Sequence, residues 1–308
     1  MQDNSDTIIY HTPVLFEESI RALDIHPDGI YADATFGGGG HSRGIITRLS
    51  PAGHLYGFDQ DVDAIENALP DENFTFVRSN FEFMPNFLRF YGVDKVDGIL
   101  ADLGVSSHHF DDAERGFSFR ADAPLDMRMN RRAPLTAADI INDSSEEELI
   151  RIFRLGSDLN NIKGFAKAII KKRGEHPILT TTELISAVSP LINPRSEKKD
   201  LAQVFQALRI AVNKEMDVLI RFLESASEML RPGGRLAVIT YHSLEDRLVK
   251  NLMKTGNVEG KVDKDFFGKV STPWKLITRS PITPTPEELE RNPRARSAKL
   301  RVAELLPQ

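Results

Sequence analysis

The sequence predicts an α/β protein with a mostly parallel sheet and an inserted helical domain, and three observations carry that reading. Short apolar runs at 30–34, 55–58, 74–77 and 96–100 alternate with helical stretches near 16–23, 43–49, 64–69 and 85–90. That alternation is expected of strands that return in parallel through crossover helices. A block of four glycines at 37–40 follows the first strand, and a carboxylate, Asp59, ends the second roughly 20 residues on. From about 110 to 199 the strand pattern vanishes and the chain reads as helical and charged. The expected layout is a sheet domain at 1–109 and 201–308, interrupted by a helical insert at 110–200.

The first strand runs into Asp33-Ala-Thr-Phe-Gly-Gly-Gly-Gly-His-Ser42, with a helix expected at 42–49. Glycines permit positive φ and a close approach of backbone to a ligand. The turn is not the dinucleotide fingerprint, because the third glycine position falls on Ser42 or Arg43, and no glycine-lysine pair supplies a Walker loop. A nucleoside without a phosphate chain fits better, S-adenosylmethionine being the common one; a plain strand-to-helix turn is the alternative. Asp59 can accept both ribose hydroxyls or simply cap a helix, and Phe81, after the third strand, can lie on an adenine face or in the core. Asp102 ends the fourth strand in Leu100-Ala-Asp-Leu-Gly-Val-Ser-Ser107, where a ligand group and an Asx turn are both open readings.

In the insert, Ser144-Ser145 before 146–153 and Thr180–Thr182 before 183–188 are N-cap signals. A long amphipathic helix follows, with Phe205, Leu208, Val212, Met216, Leu219 and Leu223 on one face. Arg231-Pro-Gly-Gly234 is expected to stop it, ahead of a strand at 235–241. Next comes His242-Ser-Leu-Glu-Asp-Arg247, in which His242 is either a satisfied structural histidine or a catalytic one. Glu245 and Asp246 suit the first turn of a helix at 245–253. A strand near 274–279, a proline-rich loop at 281–286, a short helix at 287–291 and a strand at 298–303 complete the chain.

The 308 residues contain no cysteine, which excludes a disulfide scaffold, a thiolate metal site and a cysteine nucleophile. No apolar run approaches a membrane span, and the polar, acidic start lacks the pattern of a signal peptide, so a cytosolic protein without membrane contact is expected. A net charge of −6 argues against wholesale polyanion binding. Lysine and arginine nevertheless gather at 167–173 and 291–301, where a local basic face can hold RNA.

These motifs together resemble the MraW (RsmH) family almost end to end. The resemblance rests on His11-Thr-Pro-Val-Leu15, the 33–42 block, Asp97-Gly-Ile-Leu-Ala-Asp-Leu-Gly-Val-Ser-Ser107, Asp112-Ala-Glu-Arg-Gly-Phe-Ser-Phe119, Pro124-Leu-Asp-Met-Arg-Met129, Phe205-Gln-Ala-Leu-Arg-Ile210, the 242–247 block and Asn292-Pro-Arg-Ala-Arg-Ser297. It implies a class I S-adenosylmethionine-dependent methyltransferase fold whose helical insert recognises substrate. The implied reaction methylates N4 of a cytidine in the decoding region of 16S ribosomal RNA in the 30S subunit. The implied cofactor contacts are Gly39, Gly40, His41, Asp59, Phe81, Asp102 and His109, the last standing where relatives often carry glutamine. Leu155-Gly-Ser-Asp158 and Ala202-Gln-Val204 also depart from the family pattern.

Methyl transfer to a cytosine amine needs in-line placement and hydrogen bonding of the amine protons, without metal or covalent intermediate. Asp102, with the backbone beyond it, and His242 are the candidates for that work. Phe117 and Phe119 are candidates for stacking on a splayed base, with buried apolar packing as the open alternative for both. Arg115, Arg120, Arg128, Arg131 and Arg132 are candidates for phosphate contacts, as are Arg294 and Arg296 in the C-terminal basic segment, although an ordinary solvated charged surface explains most of them individually. An RNA partner rather than DNA is expected, and the oligomeric state stays open, a homodimer included. The rival readings are a non-enzymatic ribosome-assembly factor and a small-molecule methyltransferase. The combination of Gly39–His41 with Asp59 and Asp102 speaks against the first, and the large charged insert against the second.

Overall fold

The computed structural model describes residues 13–104, 112–264, 268 and 271–307. Its sheet holds β1 (Ile30–Asp33), β2 (His54–Asp59), β3 (Phe74–Arg78), β4 (Val96–Asp102), β5 (Leu230–Thr240), β6 (Trp274–Leu276) and β7 (Lys299–Leu305) in the order β3-β2-β1-β4-β5-β7-β6. The first five strands are parallel and β7 runs antiparallel between β5 and β6. The chain winds outward in one direction from β1 through β2 to β3 and in the other from β4 to β5. The carboxyl ends of β1 and β4 therefore diverge, and they open the crevice where such sheets bind ligands. Leu15, Leu23, Tyr31, Ile45, Leu55, Leu100, Ile239 and Leu300 form a buried core on this sheet, as near-continuous apolar strands require.

The crossover elements are α1 (Phe16–Leu23), α2 (Gly40–Ile46) and α3 (Met84–Phe90). The helix expected at 64–69 is only a 3-10 turn, Asp63–Asn67. Ala68 is already extended there, and Leu69 precedes Pro70, which disfavours helical backbone.

The chain divides into two compact units: Met1–Gly104 with Leu219–Gln308, and Val105–Val218. In the second lie α4 (Ala137–Asp143), α5 (Glu146–Gly156), α6 (Ile162–Arg173), α7 (Thr181–Val188) and α8 (Glu197–Asn213). Three of these start with a reciprocal capping box: Thr136 with Asp139, Ser145 with Glu148, and Thr180 with Glu183. Phe153, Phe165, Ile169, Leu184, Val204 and Leu208 build their common core.

The long helix expected after 200 is two helices. Lys214, at φ 51°, breaks it between α8 and α9 (Glu215–Met229). The break is held by Asn213, whose side chain takes the Met129 amide and donates to the Met127 carbonyl at 2.8 Å each, and by Arg209, which grips Glu215 at 2.8 and 2.9 Å. The apolar face of α8 thus fills the helical unit, and the division expected at 200 falls at Val218. Arg231-Pro-Gly-Gly234 lies inside β5, where the register with β4 jumps from Val96↔Leu230 to Gly98↔Arg235 as a bulge. Beyond β5 the chain forms α10 (Ser243–Thr255) and α11 (Pro286–Arg291). Among the described residues no helix is long and apolar enough to cross a membrane.

Candidate cofactor and active site

The glycine loop after β1 is anchored from below by a buried carboxylate. Asp33, 1% exposed, accepts the Ser42 hydroxyl at 2.7 Å and the Thr35 amide at 3.1 Å. Burial pushes its pKa up to about 6 against those two hydrogen bonds, and the nearby Asp59 charge pushes the same way. Gly37 and Gly39 sit at φ 50° and 71°, in the left-handed region that favours glycine. A Cβ on Gly39 would meet the Phe36 ring at 2.8 Å, and one on Gly40 would collide with Pro13 Cγ, whereas one on Gly38 would touch nothing within 4 Å. The loop is therefore packed on one side and open at Gly38.

Asp59 closes the neighbouring strand and ties the loop laterally. Its two carboxylate oxygens accept the Gly37 and Asp61 amides, each at 2.8 Å. A carboxylate oxygen can accept more than one hydrogen bond, a ribose hydroxyl included. Phe81 is half-buried and stands edge-on to Phe222 at 5.1 Å.

Across the switch point, Asp102 is held on two sides. Its amide donates to Thr35 Oγ1 at 2.6 Å, and its Oδ1 accepts the Tyr241 hydroxyl at 2.8 Å. Its Oδ2 lies 3.8 Å from His41 Nδ1, and its side chain stays 23% exposed. Burial raises the Asp102 pKa to about 7; the Tyr241 hydrogen bond opposes this, and the charges of Asp33 and Glu245 add to it. His41 goes the other way: burial lowers it to about 4, with only the Val14 carbonyl at 3.1 Å raising it. The ring stacks near Phe16 at 6.1 Å. At neutral pH His41 is uncharged and donates from Nε2 to Val14, so its contact with Asp102 is neither an ion pair nor, at 3.8 Å, a hydrogen bond.

His242 is the N-cap of α10. Its Nδ1 accepts the Glu245 amide at 3.4 Å, and Glu245 Oε2 accepts the Tyr241 and His242 amides at 2.8 and 3.3 Å. The ring is 9% exposed, and Nε2 lies 3.1 Å from Glu245 Oε1 without the alignment of a hydrogen bond. Glu245 has more than a first-turn role, because it fixes the turn that aims Tyr241 at Asp102.

The structure brings Gly39, Gly40, His41, Asp59 and Asp102 to one edge of the sheet, while His109 lies outside the described residues. Motif reading passed over Thr35, Tyr241 and Asp33 as site residues. Thr35 and Asp33 sit inside a quoted motif, but Thr35 acts through a contact with β4 and Asp33 through hydrogen bonds within its own loop, neither of which spacing alone reveals.

Several residues expected to contact nucleic acid have partners within the helical unit. Phe117 is buried in the core of the helical unit and Phe119 packs edge-on to Phe205 at 5.7 Å. Both add apolar area to that core, Phe119 while only half-buried. Arg115 is 2% exposed and donates to the Arg128 and Met129 carbonyls at 2.9 and 3.0 Å. Arg128 is clamped by Asp126 through two 2.8 Å bonds and by the Ala133 carbonyl at 2.7 Å. Both guanidiniums brace the 112–133 segment. Arg131 pairs with Asp112 at 3.0 Å, whereas Arg120, Arg132, Arg294 and Arg296 are exposed.

The description "MraW methylase family" fits residues 8–306 of the chain. Ribosomal RNA small subunit methyltransferase H of Phocaeicola vulgatus is 60% identical over 296 residues, which are 96% of this chain and 97% of that protein. The protein of the same name from Bacteroides thetaiotaomicron is 59% identical over 299 residues, 97% of this chain and 98% of its own length. That from Flavobacterium johnsoniae is 53% identical over 298 residues, with the same shares covered. With that description fitting residues 8–306 and relatives 53–60% identical along nearly their whole length, the chain, whose sheet opens between β1 and β4 beside a glycine loop, belongs to the MraW methylase family.

Proposed function

We propose that this protein transfers the methyl group of S-adenosylmethionine to N4 of a cytidine in the decoding region of 16S ribosomal RNA, acting on the 30S subunit in the cytoplasm. The observation that carries this reading is the near full-length identity of 60% with a protein named as a small-subunit ribosomal RNA methyltransferase. Membership of a methylase family makes the chain a methyltransferase, and S-adenosylmethionine is its cofactor.

The residues present fit that cofactor. The loop is open at Gly38 and closed by Phe36 and Pro13 behind Gly39 and Gly40, as a backbone that contacts a ligand requires. Asp59 would take the ribose hydroxyls, Phe81 would face the adenine, and Gly39, Gly40 and His41 would line the remaining wall. When bound, S-adenosylmethionine supplies an electrophilic methyl on a sulfonium. The chain's own residues supply the rest. Asp102 Oδ2, left over after Tyr241 has taken Oδ1, lies 3.8 Å from His41 Nδ1 on a side chain that stays 23% exposed, with a pKa of about 7. A carboxylate that titrates there can accept a proton from the N4 amine as methyl transfer makes that proton acidic. His242, on the turn after the next strand, is the second catalytic candidate and would orient the amine. Arg120, Arg294 and Arg296 are proposed phosphate contacts.

The test supplies purified protein and tritiated S-adenosylmethionine with 30S subunits, naked 16S RNA and 50S subunits in parallel, followed by nucleoside analysis. Label recovered as N4-methylcytidine from 30S is the expected result. Absence of transfer to all three despite cofactor binding would replace this reading with an assembly factor or a small-molecule methyltransferase.

A further inference from the structure

One helix of the second unit breaks the electrostatic pattern of its neighbours. α4, α5, α7 and α8 all place carboxylates in their first turn: Asp139, Glu146 to Glu148, Glu183, and Glu197 with Asp200. That arrangement complements the helix dipole. α6 reads Ile-Lys-Gly-Phe-Ala-Lys-Ala-Ile-Ile-Lys-Lys-Arg, with five cations, no carboxylate, a lysine in its first turn and no side-chain cap at Asn161. The first-turn Lys163 opposes the dipole and the i,i+4 lysines repel one another, whereas Lys171, Lys172 and Arg173 in the last turn suit the dipole. The protein as a whole carries −6, so excess cationic composition does not explain it.

The cations of α6 divide into two sets. Lys172 pairs with Glu175 at 3.0 Å and Arg173 donates to the Ile141 carbonyl at 2.6 Å, so both serve the helix end. Lys163, Lys167 and Lys171 are exposed, four residues apart, opposite the buried face of Phe165, Ala166 and Ile169. Their Cα atoms span about 12 Å, a length matched by roughly three or four phosphates of one strand. Lys163 and Lys167 have no carboxylate partner among the described residues, and Lys171 shares only the longer-range field of Glu175. α5 packs beside α6 through Phe153 and Phe165, and its last two turns add exposed Arg151 and Arg154. Local consistency is given up where function requires it, and a regular row of unmatched ammoniums is complementary to a regular row of phosphates.

We infer that the Lys163, Lys167 and Lys171 face of α6 is a docking surface for the sugar-phosphate backbone of the RNA substrate. The inference rests on the ribosomal RNA reading above and adds to it a surface that contacts no reacting atom. A phosphate row carries no base information, so the surface contributes affinity and orientation rather than choice of nucleotide.

The experiment uses the full chain with all three lysines changed to glutamine, and a companion with all three changed to arginine. Glutamine has a helix propensity close to that of lysine and removes only the charge. Binding to 30S subunits and to naked 16S RNA is measured across a KCl series, with steady-state methylation alongside. The glutamine variant is expected to flatten the slope of log affinity against log salt by about two units, at about 0.7 per single-strand phosphate. KM for 30S should rise at least tenfold, with kcat at saturation and cofactor affinity unchanged, and the arginine variant should keep the wild-type slope. An unchanged slope in the glutamine variant overturns the inference. So does loss of affinity for phosphatidylglycerol vesicles with RNA binding intact, which would assign the face to a membrane surface. Wild-type protein that methylates 30S while the variant matches it throughout removes this surface alone; wild-type protein without salt-dependent RNA affinity removes the parent reading as well.

Discussion

The edge of the sheet and the helical unit use polar residues in opposite ways. In the helical unit carboxylates sit at helix starts, exposed or half-buried, where they meet backbone amides: Asp139, Glu148 and Glu183 each close a capping box. Hydrogen bonds from neighbouring threonines and from the Leu179 and Thr180 amides hold Asp139 and Glu183 below the usual carboxylate range. At the sheet edge Asp33 and Asp102 are driven up to about 6 and about 7 by burial, and His41 down to about 4. The first arrangement stabilises the fold, and the second holds groups away from their preferred charge states, as sites that handle ligands and protons do.

Replacing Asp102 with Asn sharpens this contrast most. Asparagine keeps an acceptor for Tyr241 but cannot take a proton, so kcat is expected to fall about 100-fold or more while cofactor affinity changes less than tenfold. Single-turnover methylation of 30S with a parallel cofactor titration separates the two, and a kcat within threefold of wild type would remove Asp102 from the chemistry. In the helical unit the largest effect is expected from Arg115→Ala. It leaves the Arg128 and Met129 carbonyls without their buried donor, at a cost of about 2–3 kcal/mol. Arg120→Ala, at an exposed position, should leave stability within about 0.5 kcal/mol. Denaturant unfolding of the two variants tests the ranking, and the reverse order would return Arg115 to the surface.

The sheet unit was the more legible half, for a physical reason. Parallel strands are read from apolar runs, and a glycine turn followed by an aspartate announces itself, so β1 to β4, Asp59 and Asp102 follow from local signals. The helical period at 205–223 continues through Lys214, because periodicity does not register a single left-handed residue. Nothing local tells α8 that its apolar face belongs with α5 rather than with the sheet. Burial at Arg115 and Phe117 is not legible in the sequence, because charge and aromatic content say nothing about it until the core around them has formed. The roles of Thr35 and Tyr241 depend on contacts across 67 and 139 residues of sequence, beyond any motif.

Asp33 tests whether the sheet edge is under the strain its surroundings imply. In the native state it keeps its proton to about pH 6, against an ordinary value of 3.8. Between those values the folded chain binds the extra proton, so this residue contributes stability that is lost as pH rises, by about 1.4 kcal/mol per pH unit. His41, at about 4 against an ordinary 6.5, acts in the opposite sense and loses stability as pH falls through that window. Asp33→Asn should therefore make the slope of stability against pH more positive by about 1.4 kcal/mol per unit between pH 4 and 6. Urea unfolding across that range measures it, and parallel curves for variant and wild type would mean that Asp33 is ionised throughout.

His242 carries the finest distinction, because it belongs to both kinds of arrangement at once. As the cap of α10 it resembles Ser145 or Thr180; as a buried ring beside Glu245, on the turn that aims Tyr241 at Asp102, it resembles the sheet edge. Loss of the cap in His242→Ala should cost about 1 kcal/mol. His242→Asn supplies a good cap and should recover that stability. If the ring orients the amine, turnover of the Asn variant stays depressed, by about tenfold, although its unfolding curve matches wild type. If turnover returns together with stability, the histidine acts only through the helix it caps, and the proton chemistry rests with Asp102 and the groups that hold it.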